Sequence, residues 1–449
     1  MQPPDLKNNH PSALFLGIDA LLKIKSDALN YYEDLHAQYG DAARVQLGPY
    51  RCWFLFHPDH VEQVLAKQAD KFIRFRKIMN ILRQWNGNSL LIAEGNSWKD
   101  RRRKVLPAFK QQRMPEYSKM VVQHANEFSK DITDKIKTRD SYQCSIDSVM
   151  AQYALDIAGI TLFGKKLGSS SKEISDSVHG LSEIAYSETT SPFTLPSFIP
   201  SASNVHKRHV MSVMKDTISA IVSERLSASD SDHGDLLSIL IKHHGHDQTA
   251  IEEDVMSLLI AGHETSGATL SWLFLLLAKN QTILQRVHGE LDEVITGDIP
   301  EHGDLMKLPY LTATIKEVMR LYPAPYALFC REAVENVDLD GLSIKKGDLV
   351  QLLPYVTHRD KRWFEAPMEF NPERFLNEEA WPKYAYFPFG AGPRVCIGQS
   401  FGMMEVALTA ATILKNHMLQ PIDKIPEPSP RFSLRPNGHD EVVFMERSK

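Results

Sequence analysis

The feature that most constrains what this chain can fold into is a ten-residue run, Phe389-Gly-Ala-Gly-Pro-Arg394-Val-Cys396-Ile-Gly398, where one cysteine stands among glycines and an arginine. Glycines ahead of the sulfur let a loop turn tightly, and Gly398 lets a helix start close against whatever the sulfur binds. Backbone N–H groups at the start of a helix over 398–414, together with Arg394, are expected to favour thiolate over thiol. A sulfur held this way is a metal ligand, and haem iron is a known partner of a lone cysteine thiolate. A buried, inert thiol is the usual state of a solitary cysteine. The spacing F-x-x-G-x-R-x-C-x-G weighs against it here.

Three further patterns stand upstream. Glu317 and Arg320 lie in an apolar-periodic stretch, 311–321, and share a helix face on which carboxylate and guanidinium can pair; alone, such a pair is common on surface helices. Tyr322-Pro-Ala-Pro325 stops that helix, and Asn371-Pro-Glu-Arg374-Phe375 adds another arginine. Ala261-Gly-His-Glu264-Thr265-Ser266 interrupts the apolar stretch 255–278. Ionisable groups at its middle argue for a buried helix rather than a membrane span, and Gly262 leaves room for something to lie against it. Gly267 stands where a zinc-binding H-E-x-x-H helix would need its second histidine, so that reading fails. Trp98 and Arg102 fall four apart on one helix face, so an indole N–H and a guanidinium can reach one carboxylate, while Arg101, Arg103 and Lys104 are expected to stay wet.

These patterns, in this order, resemble those of the cytochrome P-450 family, the haem-thiolate monooxygenases, across most of the chain. The resemblance implies a mainly α protein with a smaller β-rich part (α+β), a triangular helical domain around a buried haem. It implies one domain over 1–449, with 1–28 loosely attached. It assigns Cys396 as axial ligand of haem b iron. Trp98, Arg102, Arg331 and Arg394 become propionate contacts, and Phe389, Gly398 and Ala261 complete the cofactor site. Glu317, Arg320 and Arg374 become a structural triad beside the cysteine. Thr265 and Glu264 become the pair that delivers protons during use of O2. Electrons from NAD(P)H are expected through a reductase and a separate ferredoxin or flavodoxin, docking on the basic cluster Arg101, Arg103, Lys104 and Lys110.

Substrate entry is expected near 189–205. Leu82, Leu90, Leu91, Leu258, Ala324, Leu328 and Phe329 are candidates for an apolar pocket, core packing being the competing assignment for each. A hydrophobic small molecule fits such a pocket, whether fatty acid, other lipid-like compound or terpenoid. A peroxide-driven peroxygenase or isomerase, or a haem-thiolate sensor, are rival classes, and the intact Glu264-Thr265 pair weighs against both.

Motifs spread from Trp98 to Gly398 must converge on one cofactor, so 449 residues read as one large unit rather than several domains. Helices are predicted over 33–39, 59–69, 115–137, 145–163 and 210–226, strands over 43–46 and 51–56, and a hairpin over 432–438 turning at Asn437-Gly438. The segment 227–234 reads as a surface loop, and His243-His-Gly-His246 as a solvated one. Four cysteines suggest no disulfide framework and a reducing, cytoplasmic setting. No secretory signal is evident at the start, 14–24 is too short to span a bilayer, and a monomer without transmembrane anchor is expected. A net charge of −5 gives no support for nucleic-acid binding.

Overall fold

The computed structural model describes residues 17–167, 171–191, 199–227, 234–245, 247–377 and 381–447. Helices dominate, and the longest, Gln248–Lys279, runs through the middle of the molecule. From Ser266 to Ala278 every residue of this central helix is buried, so it has no solvent face and its apolar character is continuous rather than periodic. Asp247 caps its start, accepting from the Ala250 N–H at 3.0 Å. Against it pack Ile146–Phe163 and the cysteine helix, Gln399–Asn416, which Met114–Arg139 flanks on its other side. Among the described residues, Ile146–Phe163 is the one helix long and apolar enough to cross a membrane, and most of it is buried against its neighbours.

The β-rich part lies beside this helical body. Its largest sheet has five strands in the order Ala42–Leu47, Tyr50–Leu55, Leu349–Leu352, Arg331–Ala333, Phe72–Arg74. All neighbours are antiparallel except Tyr50–Leu55 and Leu349–Leu352. The predicted helices and the two predicted strands are present, with ends shifted by a few residues, but the first helix is much longer than its spacing suggests. It spans Ile18–Tyr39, with a break at Asp27, and buries Ala20, Ile24 and Ala28 in the same core cluster as Phe54. Residues 18–28 are thus tied down by apolar contacts that polar neighbours disguise in the sequence.

The predicted hairpin turns elsewhere. Pro428–Pro430 pairs with Leu434–Pro436, so the turn is 431–433, and Asn437-Gly438 instead leads into Glu441–Glu446 of another sheet. Most of 227–234, part of 189–205 and His246 lie outside the described residues. His244 is buried rather than solvated, its Nε2 3.0 Å from Asp254 Oδ2.

Candidate haem-thiolate site

The cysteine loop is shaped by its glycines. Gly390 and Gly392 have φ of 68° and 69°, and a Cβ on Gly392 would stand 1.7 Å from the Leu65 carbonyl oxygen, so only glycine fits there. The Cys396 N–H donates to the Phe389 carbonyl at 3.0 Å, closing the loop behind the sulfur. Arg394 does not serve the sulfur as expected. It donates to the Ala93 carbonyl at 3.0 Å and pairs with Glu94. Arg102 is the cation beside the thiol, with its Nη2 3.1 Å from the Val395 carbonyl. Crowding around Cys396 pushes the thiol pKa up; the Gly398 N–H and Arg102 pull it back only in part.

Behind this loop stands a saturated charge network. Arg320 donates to both oxygens of Glu317, Nε at 2.7 Å and Nη2 at 2.8 Å, and Arg374 Nε reaches Glu317 at 3.1 Å. The remaining Arg320 donors meet the carbonyls of His358, Pro367 and Glu369. Glu317 and Arg320 are both fully buried, a geometry tolerable because every Arg320 donor has an acceptor and both Glu317 oxygens accept.

On another side of the same cavity, cations gather without enough acid. Arg74 and Arg331 face each other across adjacent strands, and Arg394 and Arg102 complete the group around Trp98, their guanidinium carbons 4.2 and 5.8 Å from its ring. Glu94 is the carboxylate among them, pairing with Arg394 and accepting from the Arg74 backbone N–H. Arg74 Nε is buried without a partner. Burial first, then Arg394 and Arg331, hold the Arg74 pKa well below its ordinary value. Burial likewise lowers Arg331, and Arg394 falls to about 10. Four guanidiniums converging on one acid call for further carboxylates, which suits the two propionates of haem. Arg74 was missed in the sequence; its signal is a lone charge inside the apolar run Phe72-Ile-Arg74-Phe75.

The opposite wall is the central helix. Ala261, Gly262 and Thr265 line the cavity, and a Cβ on Gly262 would meet nothing within 4 Å, so open space lies over the helix there. Thr265 Oγ1 donates to the Ala261 carbonyl at 2.8 Å. Glu264 faces away from the cavity, where Ser433 donates to it at 2.9 Å and Arg435 at 3.3 Å. Glu405, on the cysteine helix, does line the cavity and was also missed. Its carboxyl lies 2.6 Å from Ser266 Oγ, and burial pushes its pKa up to about 8. Nothing in the spacing around Glu405 separates it from a solvated helix residue.

Between these walls lies a cavity of about 940 Å³. Cys396, Phe389, Gly398 and the arginines line it, and so do all seven residues expected to form an apolar pocket: Leu82, Leu90, Leu91, Leu258, Ala324, Leu328 and Phe329. Phe432 joins them, whereas 433–439 do not. The Leu90 N–H is anchored to Asp254 of the central helix at 2.7 Å, which fixes the loop carrying Leu90 and Leu91.

The basic cluster is smaller than expected. Arg101 is half-buried, reaching the central helix to pair with Glu253 at 2.6 Å and Asp254 at 3.2 Å. Arg103, 80% exposed, and Lys104 remain at the surface, both paired to Asp100.

A glycine-shaped loop presenting one sulfur, an arginine ring short of carboxylates and an apolar cavity between them define a haem-thiolate class of protein. Sequence comparison agrees. The family profile described as Cytochrome P450 matches residues 10–442. The chain is 30% identical to cyclooctatin synthase of Streptomyces melanosporofaciens, covering 94% of this chain and 92% of that protein. It is also 30% identical to cyclooctat-9-en-7-ol 5-monooxygenase of the same organism, over 86% and 83%. Human cytochrome P450 4V2 is 29% identical over 89% and 82%. The chain belongs to the cytochrome P450 family and is an oxygen-incorporating oxidoreductase, a monooxygenase.

Proposed function

We propose that this enzyme hydroxylates a hydrophobic, lipid-sized substrate, a terpenoid or fatty acid, at a haem b held by Cys396. Trp98, Arg74, Arg102, Arg331 and Arg394 take the propionates. The observation that carries this is the shared cavity, with the cysteine sulfur and the Thr265 hydroxyl lining one apolar space ringed by arginines. Haem, when bound, supplies dioxygen activation driven by electron donation from the thiolate.

The chain's own residues do the rest. Leu82, Leu90, Leu91, Leu258, Ala324, Leu328 and Phe329 exclude water and hold an apolar guest beside Ala261 and Gly262. Thr265 holds a hydroxyl at the cavity surface, where it can pass a proton inward, and Glu264 supplies protons to it. The Glu317–Arg320–Arg374 network keeps the cysteine loop rigid. The relative named cyclooctat-9-en-7-ol 5-monooxygenase acts on a cyclic hydrocarbon alcohol, which supports the terpenoid option. Electrons come from NAD(P)H through a separate ferredoxin or flavodoxin, for which Arg103, Lys104 and Lys110 provide positive charge, and the enzyme works in the cytoplasm as a monomer.

The test supplies a surrogate ferredoxin, its reductase and NADPH, and screens diterpene alcohols and fatty acids for oxygenated product. Cys396→His should lose the red-shifted Soret band of the reduced carbonyl complex together with all product. Thr265→Ala should keep that band and bind substrate, but form less product per NADPH consumed. An unchanged ratio removes Thr265 from the proton path.

A further inference from the structure

Glu264 and Thr265 are neighbours in sequence with opposite surroundings. Thr265 lines the cavity, while the Glu264 carboxylate is buried on the side where Leu434–Pro436 packs on the central helix and His179 and Ser182 of Ser171–Thr190 approach it. Ser433 Oγ donates to its Oε2 at 2.9 Å and Arg435 Nε at 3.3 Å, while Ser182 Oγ lies 3.5 Å and His179 Nδ1 3.6 Å from Oε1. Arg435 is itself fixed to Asp147 at 2.7 Å. Burial raises the Glu264 pKa, but Arg435, His263 and His179 more than reverse this, so the group is a carboxylate. A carboxylate so clamped cannot serve a hydroxyl in the cavity until its bonds let go.

The turn that carries the clamp also touches the cavity. Residues 431–433 join Pro428–Pro430 to Leu434–Pro436 and are tight, the Arg431 N–H donating to the Ser433 carbonyl at 3.1 Å. Phe432 lines the cavity and meets Phe329 edge to face, ring centres 6.2 Å apart. The next residue, Ser433, holds Glu264. One short turn thus places one side chain against the guest and its neighbour on the acid.

We propose that this turn couples cavity occupancy to the orientation of Glu264, with Ser433 and Arg435 as positioning residues. A guest that presses on Phe432 displaces Ser433, weakens its bond to Glu264 and frees the carboxylate to swing toward Thr265. A guest too small to reach Phe432 leaves the acid clamped, so the turn selects for size after binding as well as during it. This rests on the reading of Glu264 as proton carrier.

The test uses the haem-loaded full chain and two probes that bind haem iron through an azole nitrogen, bulky clotrimazole and bare imidazole. Soret shifts report binding, and infrared difference spectra report the Glu264 carboxylate stretch, assigned by its absence in Glu264→Gln. Clotrimazole should shift that band in the wild type and imidazole should not. Phe432→Ala should keep the clotrimazole Soret shift and lose the infrared one. Ser433→Ala should show the shifted band before any ligand is added, and Ser433→Thr should restore the wild-type pattern. The proposal is overturned by a wild-type band that clotrimazole leaves unmoved, or by an undiminished shift in Phe432→Ala. Should Glu264→Gln give full product per NADPH, Glu264 is not the proton carrier, and the infrared outcome still decides the coupling separately.

Discussion

The two walls of the cavity are held by different physics. On the cysteine side, Glu317, Arg320, Arg374 and the loop glycines fix position through directional hydrogen bonds, ion pairs and close backbone approach. On the substrate side, Leu82, Leu90, Leu91, Leu258 and Phe329 meet the cavity through apolar contacts that specify volume but little direction. A wall of the first kind fails all at once when one partner goes. A wall of the second kind yields gradually, so it can change guests without unfolding.

The sharpest way to break this contrast is Glu317→Ala. Two buried guanidiniums would lose their carboxylate, with an expected cost of about 3–5 kcal/mol, read as a lower urea midpoint and faster haem loss. Glu405 gives the next effect, through pH. Its raised pKa, about 8, means the folded state holds a proton that the unfolded chain has already released above its ordinary value of 4.5. Stability should therefore fall as pH rises between those values, by up to roughly 1.4 kcal/mol per unit. Glu405→Gln should flatten that slope in unfolding curves taken across the range; an unaltered slope would assign it to another group. On the substrate wall, Phe329→Ala should cost only about 1–2 kcal/mol, since Phe329 is half-buried, while shifting which guests change the spin-state spectrum. An effect on stability as large as that of Glu317→Ala would erase the distinction between the walls. Arg103→Glu should be smallest. Stability stays within about 0.5 kcal/mol, and reduction by a surrogate ferredoxin slows at low salt and converges with wild type as salt rises. Equal rates across a stopped-flow salt series would leave Arg103 a solvated charge.

The same contrast governs how much the sequence revealed. Residues tied to a fixed spacing were legible in position: Cys396 and Thr265 line one cavity, and Glu317 and Arg320, three residues apart, pair. Residues whose role depends on what long-range packing brings near were not. Arg101 looked wet beside three other cations until the central helix supplied Glu253 and Asp254. Glu405 looked like any helix carboxylate, and Arg74 had no motif to mark it, until the fold removed water from both. Glu264 was paired with Thr265 by adjacency, yet a helix turns each successive side chain by about 100°, so the two lie on different faces.

The pairing of Arg74 against Arg331 carries a further consequence. Two like charges stand opposite each other on adjacent strands at the edge of the five-stranded sheet, where such a pair opposes strand association. The chain alone thus closes this edge against repulsion. Two carboxylates arriving with the cofactor would turn the same pair into a clasp, so haem would act as a late-binding part of the fold. Strands Phe72–Arg74 and Arg331–Ala333 would be the first to exchange amide hydrogens in the apoprotein and among those slowed most on haem uptake, and the supply of haem would then set how much of the chain survives in the cell.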